Sequence, residues 1–218
     1  MAELIDFVLH VDRHLADFVQ LYGVWVYGLL FCIVFAETGL VVTPFLPGDS
    51  LLFAAGALAA TDPPVLNAPV VAGLLFAAAF IGNTVNYTIG RFIGPRVFHA
   101  DSAGGVSHRL LNREYLLRAH AFFEQYGGKA VVLGRFVPIV RTFVPFVAGA
   151  AQMTPHAFVL YNFIGAAAWV VLCVGAGMLF GNIPVVRNNF SLVTIGIVFV
   201  SLLPMVIALL RQRARPQA

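Results

Sequence analysis

Glu37 and Asp49 lie in one apolar, proline-broken stretch of this chain, and Arg135 and Arg141 lie in another. A charge at the centre of a membrane helix costs roughly 2.5–3.5 kcal/mol on insertion scales, so such residues persist where they pair, line a wet cavity or handle a substrate. A guanidinium offers a rigid fork of donors matched to phosphate oxygens and stays charged at any working pH, which suits two arginines to a phosphate headgroup. Carboxylates in a low-dielectric site are candidate proton carriers, with burial and neighbouring arginines pulling their proton affinity in opposite directions. Acids in one stretch and bases in the other point to one shared site. Arg135 and Arg141 are six residues apart. On a continuous helix that spacing is about 600° of rotation and puts them on different faces, but Pro138 breaks the helix and lets both converge. Each residue also has a plain structural reading: the acids as caps or partners in an ion pair, and Arg135, close to Lys129, as a side chain snorkelling to the cytoplasmic surface.

Other chemistry-bearing residues are weaker candidates. His10 and His14 stand one helical turn apart with no third ligand nearby, so neither a metal nor any other cofactor is expected. Cys32 and Cys173 each sit in an apolar run and read as packing residues rather than a disulfide. Trp25 reads as an interface anchor, and Trp169 as either core or lipid-facing.

The elements that position these residues belong to a membrane. Hydrophobic types make up 60% of the 218 residues and charged types 11%, with a mean hydropathy of +0.89, outside the range of a soluble domain. Thirteen basic residues against ten acidic ones form no dense basic stripe, which excludes nucleic acid as a partner. The N-terminus lacks the basic n-region and cleavage site of a secretory signal. Residues 1–20 alternate apolar positions with Glu3, Asp6, Asp12, Arg13 and Asp17, an amphipathic helix for the membrane surface. A first span follows from about Tyr22 towards Gly39. Residues 38–60, interrupted by Pro44, Pro47 and Gly48 before Asp49 and Ser50, read as a re-entrant hairpin, and such backbone at membrane depth requires a surrounding cavity. A second span runs from Ala68 to about Arg91 with Asn83, Asn86 and Tyr87 facing inward. Residues 92–128 are a hydrophilic cytoplasmic loop, 129–153 a second hairpin broken by Pro138 and Pro145, and about 156–180 and 190–210 two further spans. The basic tail, 211–218, marks the cytoplasmic side.

The resulting expectation is a single all-α polytopic membrane domain. It has about four full spans, amphipathic surface helices, both termini in the cytoplasm, and two hairpins that enter from opposite faces by parity. The hairpins share a weak signature, Thr43-Pro-Phe-Leu-Pro-Gly48 against Val144-Pro-Phe-Val-Ala-Gly149, and both continue into small-residue helices. Together with the topology this fits an inverted repeat, the arrangement in which broken helices of two halves build a midplane transport site. The pairs Gly90/Gly94 and Gly177/Gly181 fit close helix packing and leave a homodimer open.

Three motifs then carry a family resemblance: Phe35-Ala-Glu-Thr-Gly39 followed by Pro44-Phe-Leu-Pro-Gly-Asp-Ser-Leu-Leu52 and Ala55-Gly-Ala57; Gly82-Asn-Thr-Val-Asn-Tyr-Thr-Ile-Gly-Arg91; and Gly134-Arg-Phe-Val-Pro-Ile-Val-Arg-Thr-Phe-Val-Pro-Phe-Val-Ala-Gly149 with Met153. Over about residues 31–170 the chain resembles the DedA membrane proteins, related to eukaryotic proteins that share the VTT domain. The resemblance implies that Glu37, Asp49, Arg135 and Arg141 are the functional residues. It further implies transport of a polyprenyl phosphate such as undecaprenyl phosphate, the lipid carrier of cell-wall precursors, across the bacterial inner membrane with proton coupling. Relatives often carry an aspartate near the glycine of the second motif, where this chain has Asn83 and Asn86, so a third acidic role is not carried over. The leading expectation is a non-enzymatic lipid-phosphate translocase in which Arg135 and Arg141 bind the headgroup and Glu37 and Asp49 couple protons, with membrane lipids as its other partners. The alternatives are a passive phospholipid scramblase, a proton-coupled small-solute exporter that binds through its carboxylates, and a membrane lipid phosphatase. For the last, His156 is the nearest phosphoryl acceptor to the arginine motif.

Overall fold

The computed structural model describes residues 21–40, 48–99 and 128–184, with 186 and 196, and of residues 95–99 and 138–139 the backbone alone. All regular structure in these residues is helical: α1 (Trp25–Gly39), α2 (Gly48–Ala59), α3 (Ala68–His99), α4 (Lys129–Gly134), α5 (Pro138–Ala150) and α6 (Pro155–Phe180). The expected surface helix at 1–20, the proline-rich start of the first hairpin, the last span and the basic tail lie outside the described residues.

Two helices are long and apolar enough to cross a bilayer, Ala68–Gly94 with 27 residues and Pro155–Phe180 with 26. At 1.5 Å per residue each reaches ~40 Å, more than a hydrocarbon core of ~30 Å. Only 33% of the most apolar stretch of each is buried inside the protein, and Phe92, Leu160, Phe163, Val171 and Leu179 stand exposed. An apolar surface of that extent is matched by lipid, not water. The second span is longer than its sequence suggests: α3 continues through residues read as the start of the hydrophilic loop and ends at His99. The extension is packed at its start, where Gly94 seats it on Ala150 of α5. In contrast, α1 has 15 residues, about 22 Å of helix, short for a crossing by itself.

The chain divides into two compact units. Unit 1 comprises residues up to Ile33, Leu46–Leu75 and Trp169 onward; unit 2 comprises Val34–Phe45 and Phe76–Ala168. In unit 1, α2 lies on the end of α6: a methyl added at Gly56 would run into the Val174 carbonyl, one at Gly177 into the Phe53 carbonyl, and one at Gly181 into the Ala57 side chain. The Asn182 amide closes this contact by donating to the Ala57 carbonyl at 3.1 Å.

Unit 2 repeats the contact. A methyl at Gly149 of α5 would run into the Tyr87 carbonyl of α3, one at Gly90 into the Phe146 carbonyl, and one at Gly94 into the Ala150 side chain. The register agrees residue for residue: Phe53-Ala-Ala-Gly-Ala57 on Val174, Gly177 and Gly181 corresponds to Phe146-Val-Ala-Gly-Ala150 on Tyr87, Gly90 and Gly94. This pairing differs from the one suggested by the Pro-Phe signature. Backbone-to-backbone contact at glycine sets the register. The glycine pairs are therefore spent on packing inside their own units.

The second broken segment consists of α4, a turn at residues 135–137 and α5. Pro138 opens α5 at its first turn, where a missing N–H is harmless. Gly134 lies 2.8 Å from Val144 by its would-be methyl, which sets the two helices close together. With 6 and 13 residues, neither α4 nor α5 can span a bilayer. α5 ends in a left-handed turn in which Gln152 has φ 59°, Met153 N–H donates to Ala148 at 3.0 Å and Gln152 N–H donates to Gly149 at 2.9 Å, the Schellman pattern that reverses the chain into α6. Tyr87 stacks on Phe158 at 4.1 Å, with Val131, Ala148 and Met153 completing the core of this unit. Arg91 ties the reversal down by donating to the Tyr87 hydroxyl at 2.9 Å and the Met153 carbonyl at 3.2 Å.

Candidate functional site

Three of the four expected site residues, Glu37, Arg135 and Arg141, come together in unit 2. Arg141, on the first turns of α5, donates to the Glu37 carboxylate at the end of α1. The pair is closed off from solvent, with side-chain exposures of 7% and 0%. The segment carrying Glu37 reaches this place because Gly82 of α3 offers no side chain: its would-be methyl overlaps the Thr38 hydroxyl and lies 3.1 Å from the Gly39 nitrogen.

The two arginines converge as the break at Pro138 suggests, since Arg135 lies within electrostatic reach of both Arg141 and Glu37. Their settings differ. Arg135 does not snorkel; it is 4% exposed, and its guanidinium donates to Asn162 Oδ1 at 2.8 Å and to the Ala79 carbonyl at 3.3 Å. Asn162 is held in turn, donating to the Phe80 carbonyl at 3.0 Å and the Thr84 hydroxyl at 3.2 Å. With its amide oxygen turned to the guanidinium, Asn83 accepts from Arg135 and donates to the Thr38 carbonyl at 3.2 Å. Arg135 is thus braced by neutral acceptors on two long helices, whereas Arg141 meets a carboxylate.

Asn86 is fully buried and bonds the chain neighbours of Glu37 and Arg141. It donates to the Thr142 carbonyl at 2.8 Å and the Thr38 carbonyl at 3.3 Å. Pro145 stands inside α5 without ending it, so of the two breaks expected in this segment only the one before Pro138 occurs. Among the described residues the Asn86 Oδ1 is buried without a hydrogen-bond partner, an uncommon state for a buried acceptor. The inward-facing positions expected of Asn83, Asn86 and Tyr87 are thereby met.

Asp49 belongs to unit 1. It stands in the first turn of α2, where a carboxylate is favoured by the helix dipole, and accepts a hydrogen bond from the Trp169 indole at 2.7 Å. Trp169 is 2% exposed, a core residue with a polar bond, not a lipid-facing one. Sequence reasoning left Trp169 undecided and passed over Asn162, a single amide in an apolar span whose only signal is that isolation. Trp25 is exposed at the start of α1, and Cys32 is exposed on the same helix instead of packed. His156 is exposed at the first turn of α6, while Arg135 and Arg141 are buried, a poor arrangement for phosphoryl transfer onto that imidazole.

Comparison with known proteins finds relatives among membrane proteins. The profile of the VTT domain matches residues 46–179. The chain is 52% identical over 210 residues to Protein DedA of Escherichia coli K12, covering 96% of this chain and 94% of that one. It is 42% identical over 187 residues to an uncharacterized membrane protein of Mycobacterium tuberculosis H37Rv, covering 85% and 80% of the two chains. It is also 36% identical over 159 residues to the inner membrane protein YqjA of Escherichia coli K12, covering 73% and 69%. No solved structure matches.

Proposed function

This chain belongs to the DedA family of VTT-domain membrane proteins, and we propose that it carries a polyprenyl phosphate across the bacterial inner membrane with protons as the coupling ion. The observation that carries this reading is the buried Glu37–Arg141 pair. A carboxylate and a phosphate are competing ligands for one guanidinium. A phosphate brings three acceptor oxygens and up to two charges, so it can displace the carboxylate provided that Glu37 sheds its own charge. Protonation of Glu37 releases Arg141 to the headgroup; loss of that proton returns Arg141 to Glu37 and expels the headgroup. One proton and one phosphate are thus linked through a single side chain.

Arg135 supplies a fixed charge in this scheme. Held by Asn162, Asn83 and the Ala79 carbonyl, it attracts the anion without itself having to change partner. The buried Asn86 Oδ1 matches the hydroxyl of a singly protonated phosphate. Asp49 of unit 1 is the second coupling acid. The exposed apolar faces of α3 and α6 leave the isoprenoid tail in lipid while the headgroup crosses. No bond of the substrate is made or broken, which makes the protein a carrier and not an enzyme. Both termini lie in the cytoplasm.

The test is transbilayer movement of a labelled polyprenyl phosphate in proteoliposomes, with and without an imposed pH gradient, for the native protein, Glu37→Gln and Arg141→Ala. Gradient-stimulated movement that both substitutions abolish is the expected result. Movement indifferent to the gradient and to Glu37→Gln points to passive scrambling and overturns the coupling.

A further inference from the structure

We propose that Trp169 is a positioning residue for Asp49, holding its carboxylate in the orientation that transport requires. This deepens the carrier reading above and rests on it for the role of Asp49. The contact is direct, indole N–H to Asp49 Oδ1 at 2.7 Å, between residues 120 apart in the chain. Both belong to unit 1, and the indole is buried.

The repeated packing register shows how unusual this contact is. Counting back five residues from Val174 gives Trp169, and five from its counterpart Tyr87 gives Gly82. At Gly82 the missing side chain admits the end of α1, which brings Glu37 to Arg141. At Trp169 the same place on the long helix carries an indole, which fills the space and supplies a hydrogen-bond donor of its own. The charged residues do not fall in this register. Counted back from the packing glycines Gly56 and Gly149, Asp49 matches Thr142, the neighbour of Arg141. Each unit nonetheless holds one carboxylate by a contact distant in sequence, unit 2 Glu37 with a guanidinium and unit 1 Asp49 with an indole. A ring donor suits a residue that must keep one rotamer. It is rigid, its single N–H has one direction, and it adds no charge that would compete for the phosphate.

Two measurements test this. The first reads the contact without transport: in Trp25→Phe protein, Trp169 is the one remaining indole of the chain, and its emission maximum is compared with and without Asp49→Ala. A shift in the maximum is expected; identical spectra from two folded proteins overturn the contact. The second reads function through Trp169→Phe, which keeps a packed ring and removes the donor. The gradient-driven maximal rate is expected to fall by about tenfold, the lower end for loss of a hydrogen bond to a charged group. The apparent KM for polyprenyl phosphate should stay at the native value, since the arginines are untouched. A native rate overturns the proposal, as does a raised KM at unchanged maximal rate, which is the mark of a packing role. If the native protein itself shows no gradient-driven movement, the carrier reading fails, and the emission measurement still decides the Trp169–Asp49 contact. Should Trp169→Phe fail to fold, the emission comparison is repeated with Asp49→Leu, which offers the indole N–H no acceptor, and an unchanged spectrum again counts against the contact.

Discussion

Replacing Arg141 by Met removes the guanidinium from a carboxylate that is 0% exposed. Removing one partner of a buried pair strands the other charge and costs about 3–5 kcal/mol, or ~10²–10⁴ in the ratio of folded to unfolded protein. Glu37→Met strands the guanidinium at a comparable cost. The informative variant is the double one, Glu37→Met with Arg141→Met. Two well-packed apolar side chains in place of a buried ion pair are commonly neutral or stabilising, by about 1–4 kcal/mol. The double variant should thus unfold at or above the native midpoint while both single variants unfold well below it, and it should carry no polyprenyl phosphate. The assay is denaturant unfolding in mixed detergent micelles followed by tryptophan emission, run beside the proteoliposome transport measurement. Single variants as stable as the native protein would refute the burial argument, because the pair would then be wet enough to lose either member cheaply. A double variant that transports normally would refute the role of the pair itself.

Three further substitutions have expected outcomes. Gly175→Ala should stabilise the protein by about 0.5–1 kcal/mol, since nothing lies within 4 Å of the added methyl and glycine is a poor helix residue. Gly177→Ala, two positions along the same helix, should destabilise by about 1–3 kcal/mol because its methyl meets the Phe53 carbonyl; equal midpoints for the two variants would count against the α2–α6 contact. Asn162→Leu removes the acceptor that braces Arg135 at 2.8 Å and should cost about 1.5–3 kcal/mol. It should also raise the apparent KM for the lipid phosphate, as measured in proteoliposomes, and a native KM would show that Arg135 needs no such bracing.

The membrane class, the apolar helices and the four charged residues could be read from the chain itself. Hydrophobicity is summed along the sequence, and a charge in an apolar run stands out wherever the run folds. Pro138 likewise announced a broken helix, because proline acts on its own backbone neighbours, whereas α5 runs on through Pro145. The sequence did not reveal which acid meets which base: Glu37 and Arg141 are 104 residues apart, and nothing local to either distinguishes Glu37 from Asp49 as the partner. Nor did it separate the two arginines, since bracing by Asn162 and Asn83 depends on helices that meet only in the folded protein. Packing likewise decided the true register of the repeat, because a glycine's role depends on the backbone lying against it. The same holds for Trp169: an indole in an apolar span has the same local signature whether it faces lipid or holds a carboxylate, and only the neighbour across the helix contact tells the two apart.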